Sequence, residues 1–251
     1  LLTGYFEPVL EASRRSQENF RFPIYAMPAT AASAQKAGKP WYSRQEMETR
    51  PEVQSMLRER ELLWLAEPLD VLSLQVQGSG RVRVREPDGR QRWLRLSFAG
   101  SNGHPYQSPG RWLQENHAVA DASWPGIKNW IAQNPQRLQQ LLWSNPRVVF
   151  FNEAPISESD ANAGPRGAQG VALTPGRSIA VDATRIPYGT PVWLVSHGSA
   201  AKLQKLVLAQ DTGAAIVGAL RADYFAGWGA QAGELAGRLK QPLQLWVLWP
   251  K

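Results

Sequence analysis

The final third of the chain contains short apolar runs separated by turn residues, and this spacing constrains the fold more than any other feature. The runs cover residues 171–173, 178–182, 191–195, 204–210, 215–217 and 243–249. Runs of this length bounded by Gly, Pro or Asp are typical of strands. Several short strands joined by turns predict a compact β-barrel, with a helix over residues 230–239 beside it.

The first half of the chain mixes strand and helix patterns. Residues 1–10 predict a strand, whereas residues 28–40, rich in Ala, Pro, Gly and Ser, predict a connection. Ser43 and Glu46 form a capping-box pattern, which indicates the start of a helix. Two further short helices are predicted on either side of residues 134–135.

Residues 70–98 have strand character. An apolar-rich run over residues 71–76 predicts one strand. Residues 81–85 and 92–98 then alternate with period two on either side of a Pro-Asp-Gly turn. This second pattern predicts a β-hairpin.

The order of these patterns suggests a barrel that is interrupted by an insertion. Residues 1–20 and 155–251 would form the barrel, and residues 21–154 would form the inserted domain. Residues 154–169 are rich in Ala, Ser, Asn, Gly and Pro, which predicts a linker or mobile loop.

Composition limits the kinds of site and partner. The chain has 251 residues, enough for a sizeable core, and its apolar runs fall far short of the ~20 residues of a membrane-spanning helix. It contains no cysteine and only three scattered histidines, so we expect neither a metal nor a cofactor. The net charge of +7 would suit a polyanion, but the basic residues are diffuse and accompany no nucleic-acid-binding motif, so we expect no nucleic acid.

Three aspartates in the last third lie where a strand pattern meets a turn or chain bend. Asp182 precedes a Pro-Tyr-Gly turn, Asp211 precedes Thr212 and Gly213, and Asp223 lies in Arg-Ala-Asp-Tyr-Phe. If their strands pair in one barrel, the carboxylates can converge, an arrangement suited to protonating a glycosidic oxygen and stabilising a sugar cation. Each could instead be an ordinary turn or strand-end carboxylate. For Asp182 and Asp211 we favour support or orientation of a site over direct catalysis.

Other residues suit the binding of sugars. Gln77, Gly78 and Ser79 offer amide and backbone donors with little bulk, although the same segment equally predicts a plain turn. Tyr5 on the first strand could stack on a sugar ring or fill the barrel. The middle third also holds five tryptophans that are core candidates one by one but together would suit a carbohydrate groove: Trp93, Trp112, Trp124, Trp130 and Trp143.

Beyond these residue patterns, the chain resembles the membrane-bound lytic murein transglycosylase A family. The likeness extends over nearly the whole chain, and the order and spacing of its pieces are more specific than any one of them. Besides the three aspartate settings, the matching pieces are Leu2-Thr-Gly-Tyr-Phe-Glu-Pro8, Val76-Gln-Gly-Ser-Gly80, Ala99-Gly-Ser-Asn-Gly-His-Pro-Tyr106 and Val149-Phe-Phe151. The chain departs from the family at Val217, where the family's Gly-Gly-Ala-Ile-Lys-Gly carries a lysine.

The resemblance implies a mainly β fold: a six-stranded double-psi β-barrel with an inserted second β-rich domain that bears short helices, and a substrate groove between them. It implies cleavage of the β-1,4 MurNAc–GlcNAc bond of peptidoglycan glycan strands with formation of 1,6-anhydro-MurNAc, and Asp223 as the catalytic residue. A protonated Asp223, its pKa raised by burial against Tyr224 and Phe225, would act as general acid and then, as the carboxylate, as general base.

The resemblance also implies a location in the bacterial envelope. The first residue is Leu1 rather than Met, so we expect a trimmed or mature chain. We expect it at the periplasmic face of the outer membrane, held by a lipid anchor outside this sequence, or in the periplasm, with other cell-wall enzymes as candidate partners.

Two alternatives to a lytic transglycosylase stay open. A barrel of this kind could grip glycan without cutting it, as an expansin-like binding module. It could also be an inverting glycoside hydrolase, which would need a second carboxylate roughly 6.5–9.5 Å from Asp223 to activate water.

Overall fold

The computed structural model describes residues 1–157 and 160–249, which form two compact units. One unit combines Leu1–Val9 with Ile156–Lys251, and the other consists of Leu10–Pro155. Both are built on sheets, so the predicted mainly β class is confirmed. None of the helices within the described ranges has the length and hydropathy that crossing a membrane requires.

Thirteen strands are described. They are β1 (Leu2–Glu7), β2 (Val9–Ser13), β3 (Phe22–Tyr25), β4 (Glu61–Leu65), β5 (Ser79–Arg85), β6 (Gln91–Ser101), β7 (Val149–Pro155), β8 (Ser178–Val181), β9 (Pro191–His197), β10 (Lys202–Asp211), β11 (Ala222–Trp228), β12 (Lys240–Gln241) and β13 (Gln244–Val247).

The helices are short, and most belong to the second unit. They are α1 (Ala29–Lys36), α2 (Arg44–Thr49), α3 (Pro51–Arg58), α4 (Pro68–Gln77), α5 (Pro109–Glu115), α6 (Trp124–Gln133), α7 (Leu138–Trp143) and α8 (Gly229–Arg238), with a 3₁₀ turn at Pro135–Arg137.

The first unit is a barrel. Its sheet has the order β12-β1-β11-β8-β10-β9-β13, in which the six strands from β1 to β13 form a nearly closed barrel and β12 adds two residues beside β1. The core is filled by alternate side chains of these strands. Its buried members include Leu2, Ile179, Val192, Leu194, Val207 and Tyr224.

Strand β11, which carries Asp223, lies between β1 and β8 in the barrel. It pairs in parallel with β1 and in antiparallel with β8. Ala222 and Tyr224 point into the core, so the alternation of a strand places Asp223 and Phe225 on its other face. Burial of Ala222 and Tyr224 thus sets the orientation of the strand, and this orientation directs the Asp223 carboxyl group away from the core.

The second unit contains a six-stranded sheet with the order β3-β4-β2-β5-β6-β7. The predicted hairpin is confirmed as β5 and β6, paired from Ser79 with Ser97 to Arg85 with Gln91. The capping box is also confirmed, because Ser43 and Glu46 each accept a hydrogen bond from the other's backbone at the start of α2.

Two segments of the second unit differ from the prediction. Residues 71–76 belong to helix α4 rather than to a strand, because Pro68 opens a helix that Gly78 ends in a left-handed conformation (φ 78°). Residues 28–40, predicted as a connection, contain helix α1, whose alanines favour a helix between Pro28 and Gly38.

Two predicted strands of the barrel are also wrong. Residues 215–217 lie in the turn region after β10, and residues 171–173 contribute an isolated bridge between Ala172 and Arg166 instead of a strand. Both runs are only three residues long, too short for their apolar character to decide between a strand and a loop that packs on the barrel.

Candidate active site

Asp211 and Asp223 lie on either side of one residue of β8. Ala180 pairs with Asp223 of β11 in antiparallel and with Asp211 of β10 in parallel. Strand β10 reaches this register through an irregularity between Ala209 and Asp211. Since neighbouring strands lie about 4.8 Å apart, the two aspartate Cα atoms are separated by roughly 10 Å. The strand order therefore brings two of the three candidate carboxylates together.

Asp223 is held by a short chain of hydrogen bonds that begins at Arg221. The Nη2 group of Arg221 donates to Oγ1 of Thr3 at 2.7 Å, and Oγ1 of Thr3 donates to Oδ1 of Asp223 at 2.5 Å. Thr3 is the register partner of Asp223 on β1. Within residues 1–157 and 160–249, no hydrogen bond involves Oδ2 of Asp223, which leaves that oxygen available to exchange a proton.

The surroundings of Asp223 favour its protonated form. Burial raises the pKa of the carboxyl group above its ordinary value, because it disfavours the charged form. The hydrogen bond from Thr3 and the charge of Arg221 lower the pKa, whereas the charge of Asp211 raises it further. The net result is a raised pKa, the condition under which a carboxylic acid holds a proton for donation.

Asp211 is anchored from two sides. The hydroxyl of Tyr5 donates to Oδ2 at 2.9 Å, and the backbone N–H of Ala168 donates to Oδ1 at 3.0 Å. Burial raises the pKa of Asp211, while hydrogen bonds from Thr212, Ala168 and Tyr5 lower it. Burial also raises the pKa of Tyr5 well above its ordinary value, so the phenol stays protonated and acts as a donor. The ring of Tyr5 packs on Phe225 with centroids 5.3 Å apart.

Residues 164–173 pack directly against these groups. A Cβ added to Gly164 would lie 3.0 Å from the Phe225 ring, and one added to Gly167 would lie 2.4 Å from the carbonyl oxygen of Gln210. Glycine is needed at both positions because the backbone approaches so closely. Part of the segment that the sequence predicts as a linker or mobile loop thus supplies the Ala168 donor to Asp211.

Asp182 occupies a different setting, directly after β8. Its Oδ1 accepts hydrogen bonds from the N–H and the hydroxyl of Thr184, at 3.0 and 2.7 Å, and its Oδ2 accepts one from the N–H of Gly218 at 2.8 Å. The hydrogen bond from the Thr184 hydroxyl lowers the pKa of Asp182 most, followed by those from the two backbone groups. Asp182 is therefore an ionised carboxylate that ties two loops together.

Gly213 lies in the turn that follows β10. Its carbonyl accepts a hydrogen bond from the N–H of Ile216 at 2.9 Å, and the neighbouring Thr212 hydroxyl donates to the carbonyl of Val181 at 3.0 Å. Ile216 is buried, whereas Val217 is 72% exposed. The turn is thus fastened to the barrel on both sides of Gly213, and Val217 projects from it.

The remaining candidates belong to the second unit. Gln77 ends helix α4, Gly78 follows it in the left-handed conformation and Ser79 begins β5. Trp130 is buried in a helical core cluster, against which Trp112 and Trp124 pack.

The other two tryptophans of the middle third have polar or cationic neighbours. Trp143 donates through Nε1 to Glu48 at 2.7 Å, and the guanidinium of Arg83 lies 5.9 Å from the ring centroid of Trp93. Trp93 is 45% exposed. Three of the five tryptophans therefore serve the helical core.

Sequence reasoning missed three groups of the site: Thr3, Arg221 and the backbone of Ala168. Thr3 and Arg221 each lie two residues before a residue that the sequence did single out, Tyr5 and Asp223. The alternation of strands offers a signal, since residues two apart share a face. Across the described residues, no group of three or more His, Cys, Asp or Glu side chains is arranged to hold a metal ion.

Two protein families match the chain. The MltA specific insert domain matches residues 1–152, and the 3D domain matches residues 177–249. A membrane-bound lytic murein transglycosylase A of Vibrio cholerae is 31% identical over 260 residues, which cover 99% of the chain and 65% of that relative. The chain thus spans slightly less than two thirds of the length of this relative.

Solved structures of related proteins have the same fold. A lytic transglycosylase of Burkholderia pseudomallei, LtgG, is 42% identical with a TM-score of 0.67, over 98% of this chain and 70% of that one. The MltA of E. coli with bound chitohexaose is 29% identical with a TM-score of 0.81, over 98% of this chain and 70% of that one. Similarity of this extent includes both the barrel and the inserted unit.

Proposed function

Because the chain belongs to the membrane-bound lytic murein transglycosylase A family, we propose that it cleaves the β-1,4 MurNAc–GlcNAc bond of peptidoglycan and forms 1,6-anhydro-MurNAc. The observation that carries this proposal is the state of Asp223, a carboxyl group with a raised pKa and one oxygen without a hydrogen bond from the described residues. A single group of this kind can serve both halves of the reaction.

In the first step Asp223 is the general acid. Its Oδ2–H gives its proton to the glycosidic oxygen, the bond from that oxygen to C1 of MurNAc breaks, and GlcNAc leaves with a free hydroxyl. C1 is left as an oxocarbenium-like centre beside the Asp223 carboxylate. The negative charge of Asp211 nearby adds to the field that stabilises this cation.

In the second step Asp223 is the general base. Its carboxylate accepts the proton of the C6 hydroxyl of the same MurNAc, and the C6 oxygen forms a bond with C1. The 1,6-anhydro ring closes and Asp223 is protonated again, so no water is consumed. An intramolecular nucleophile needs no second carboxylate to activate it, since it is already held near C1.

Thr3 and Arg221 are proposed as positioning residues. The Arg221 donor occupies a lone pair of Thr3 Oγ1, which directs the threonine hydrogen to Oδ1 of Asp223. Oδ2 is then the oxygen that carries the exchangeable proton in both steps. Tyr5 is likewise a positioning residue, because its hydroxyl donates a hydrogen bond to Asp211.

Substrate, location and partners follow the family. We propose peptidoglycan glycan strands as the substrate, with Gln77, Gly78 and Ser79 as donors to sugar hydroxyls. The E. coli relative binds chitohexaose, an oligosaccharide. We propose a site of action at the periplasmic face of the outer membrane, through a lipid anchor outside this sequence, and cooperation with other cell-wall enzymes.

A second candidate function is inverting hydrolysis, and the position of Asp211 is the observation that favours it. The Cα atoms of Asp211 and Asp223 lie two strands apart, roughly 10 Å, which can accommodate the ~6.5–9.5 Å carboxyl separation of inverting enzymes. However, both oxygens of Asp211 accept hydrogen bonds, from Tyr5 and Ala168, so the group is arranged to be held rather than to activate water.

Digestion of purified peptidoglycan tests the proposal. The wild-type chain should release fragments with anhydro ends, identified by mass, and Asp223→Asn should release none above background. Asp88→Asn is the matched control, because Asp88 is an exposed carboxylate of the second unit, paired with Arg90. Reducing ends from the wild type would indicate the hydrolase, and binding without fragments would indicate the expansin-like module.

A further inference from the structure

A row of exposed apolar side chains crosses three strands of the barrel. Leu206 of β10 pairs with Trp193 of β9, and Trp193 pairs with Trp246 of β13. Their exposed fractions are 42%, 42% and 50%. The next residues along two of these strands, Val207 and Val192, are buried in the core, so the row faces away from it.

A row of two glutamines and one valine lies beside it on the same face. Two residues along each strand, Gln204 of β10, Val195 of β9 and Gln244 of β13 are register partners in turn. The Gln204 amide lies 3.2 Å from Nε2 of His197. The side chain of Gln244 makes no hydrogen bond with any residue that the structure describes. Two indole rings thus share one face of the barrel with two amide groups.

We propose that this face, the row of Leu206, Trp193 and Trp246 with Gln204 and Gln244, is a second glycan-binding site. Indole rings offer planar apolar faces that stack on sugar rings, and amides both donate and accept hydrogen bonds, as sugar hydroxyls do. The inference rests on the proposed function, because a polymeric glycan substrate presents the same sugar faces at many places along one strand.

The composition of the face favours glycan over other occupants. Attraction to anionic lipids favours clusters of about four to eight basic residues. The described part of this face has Lys202 and His197 beyond the amide row, and the Arg177 guanidinium donates to the Leu206 carbonyl oxygen at 3.0 Å.

A stable homodimer buries about 800 Å² per partner. Leu206, Trp193 and Trp246 are about half exposed, and Leu248, two residues beyond Trp246, is 44% exposed. Together these side chains supply roughly 400 Å² of apolar surface, about half of that area.

A second site would act through effective concentration. A chain held on an insoluble glycan by this face meets scissile bonds more often than a free chain does. The effect should therefore be large on intact peptidoglycan sacculi and small on a short soluble glycan, which cannot reach two sites at once.

The test is co-sedimentation with purified sacculi in an Asp223→Asn background, which separates binding from cleavage. The double substitution Trp193→Ala and Trp246→Ala should raise the Kd by about tenfold or more. The same pair made in the active chain should lower the rate on sacculi by a larger factor than the rate on a short soluble glycan. Thermal unfolding verifies that the variants are folded.

Matched variants separate stacking from apolar contact in general. Trp246→Leu retains an apolar side chain without a planar ring and should bind as weakly as Trp246→Ala, whereas Trp246→Tyr should bind nearly as well as tryptophan. Phe98→Ala, at a 50% exposed aromatic side chain of the second unit, should bind sacculi as before.

Unchanged sedimentation of the double variant with sacculi would overturn the inference. Two further measurements could also overturn it. In one, the double substitution weakens co-sedimentation with phosphatidylglycerol vesicles but not with sacculi; in the other, the wild type is a dimer in solution and the double variant is a monomer. Failure of the proposed function looks different, since the wild type would then release no anhydro fragments whether or not the face binds glycan. The two results come from separate measurements, product mass and sedimentation.

Discussion

Asp223 and Asp182 belong to neighbouring strands of one barrel, yet their environments shift the pKa values of the two carboxyl groups in opposite directions. Asp223 lies within β11, part-buried, and burial raises its pKa. Asp182 follows β8 at the surface, where three hydrogen bonds lower its pKa. A carboxylate in a strand-and-turn motif thus becomes an acid or a structural anion according to how many donors reach it and how far it is from water.

The largest expected effect comes from exchanging the carboxyl group itself. Asp223→Asn preserves the shape and the acceptor for Thr3 but removes the exchangeable proton, so formation of anhydro products should fall by about 10³-fold. Asp182→Asn should retain most of the activity, because Asp182 holds loops. The amount of anhydro product, measured by mass, compares the two variants. Equal losses of activity would contradict the different roles assigned to Asp223 and Asp182.

A second substitution targets the segment that anchors Asp211. Gly167→Ala places a Cβ 2.4 Å from the carbonyl oxygen of Gln210, so the loop must move, at a cost of about 1–3 kcal/mol in the free energy of unfolding. Gly237→Ala is the control, since beyond its chain neighbours and its own helix backbone no atom of the described residues lies within 4 Å of the added Cβ. Denaturant unfolding measures both, and an unaltered midpoint for Gly167→Ala would contradict the close approach.

A third change tests the positioning role of Thr3. Thr3→Val removes the donor to Asp223, so the rate should fall by about tenfold and the alkaline limb of the pH–rate profile should move to higher pH. The direction follows because the Thr3 hydrogen bond lowers the pKa of Asp223. Thr3→Ser should restore both. A reduced rate with an unmoved pH profile would indicate a purely structural role.

The smallest effect concerns stability, and its sign differs between the two aspartates. Because the folded-state pKa of Asp223 is raised, its contribution to stability is lost as pH rises from the ordinary value through the folded one. Asp223→Asn should therefore raise the Tm at neutral pH.

Asp182 has the opposite linkage. Its lowered pKa contributes stability above its ordinary value, and that stability is lost as pH falls through the folded pKa. Asp182→Asn should lower the Tm at neutral pH and have less effect in acid. Calorimetry over a pH series measures the Tm of both variants. Tm shifts of the same sign at neutral pH would contradict the opposite linkage of the two aspartates.

Much of the barrel could be predicted from local pattern. Strands β8, β9 and β10 are short apolar-rich segments between turns, and the sequence defines them well. Helix α4 could not be predicted, because an apolar run such as residues 71–76 suits a buried helix as well as a strand. Pro68 and Gly78, which bound the helix, were the available signal.

The site depends on contacts that local pattern does not contain. Thr3 reaches Asp223 from 220 residues away, and Tyr5 reaches Asp211 from 206 residues away. The pairing of β1 with β11, of β11 with β8 and of β8 with β10 brings these residues together. Residues 164–169 have the composition of a loop, and their close packing against Asp211 emerges only in three dimensions.

The central claim is that Asp223 alone completes the reaction without water. Digestion of peptidoglycan in H₂¹⁸O, with products analysed by mass, tests this most directly. The fragments should have anhydro ends and contain no ¹⁸O. Fragments with reducing ends that carry one ¹⁸O atom would contradict a reaction without water. If Asp211→Asn no longer released such fragments, the protein would be a hydrolase with Asp211 as the base.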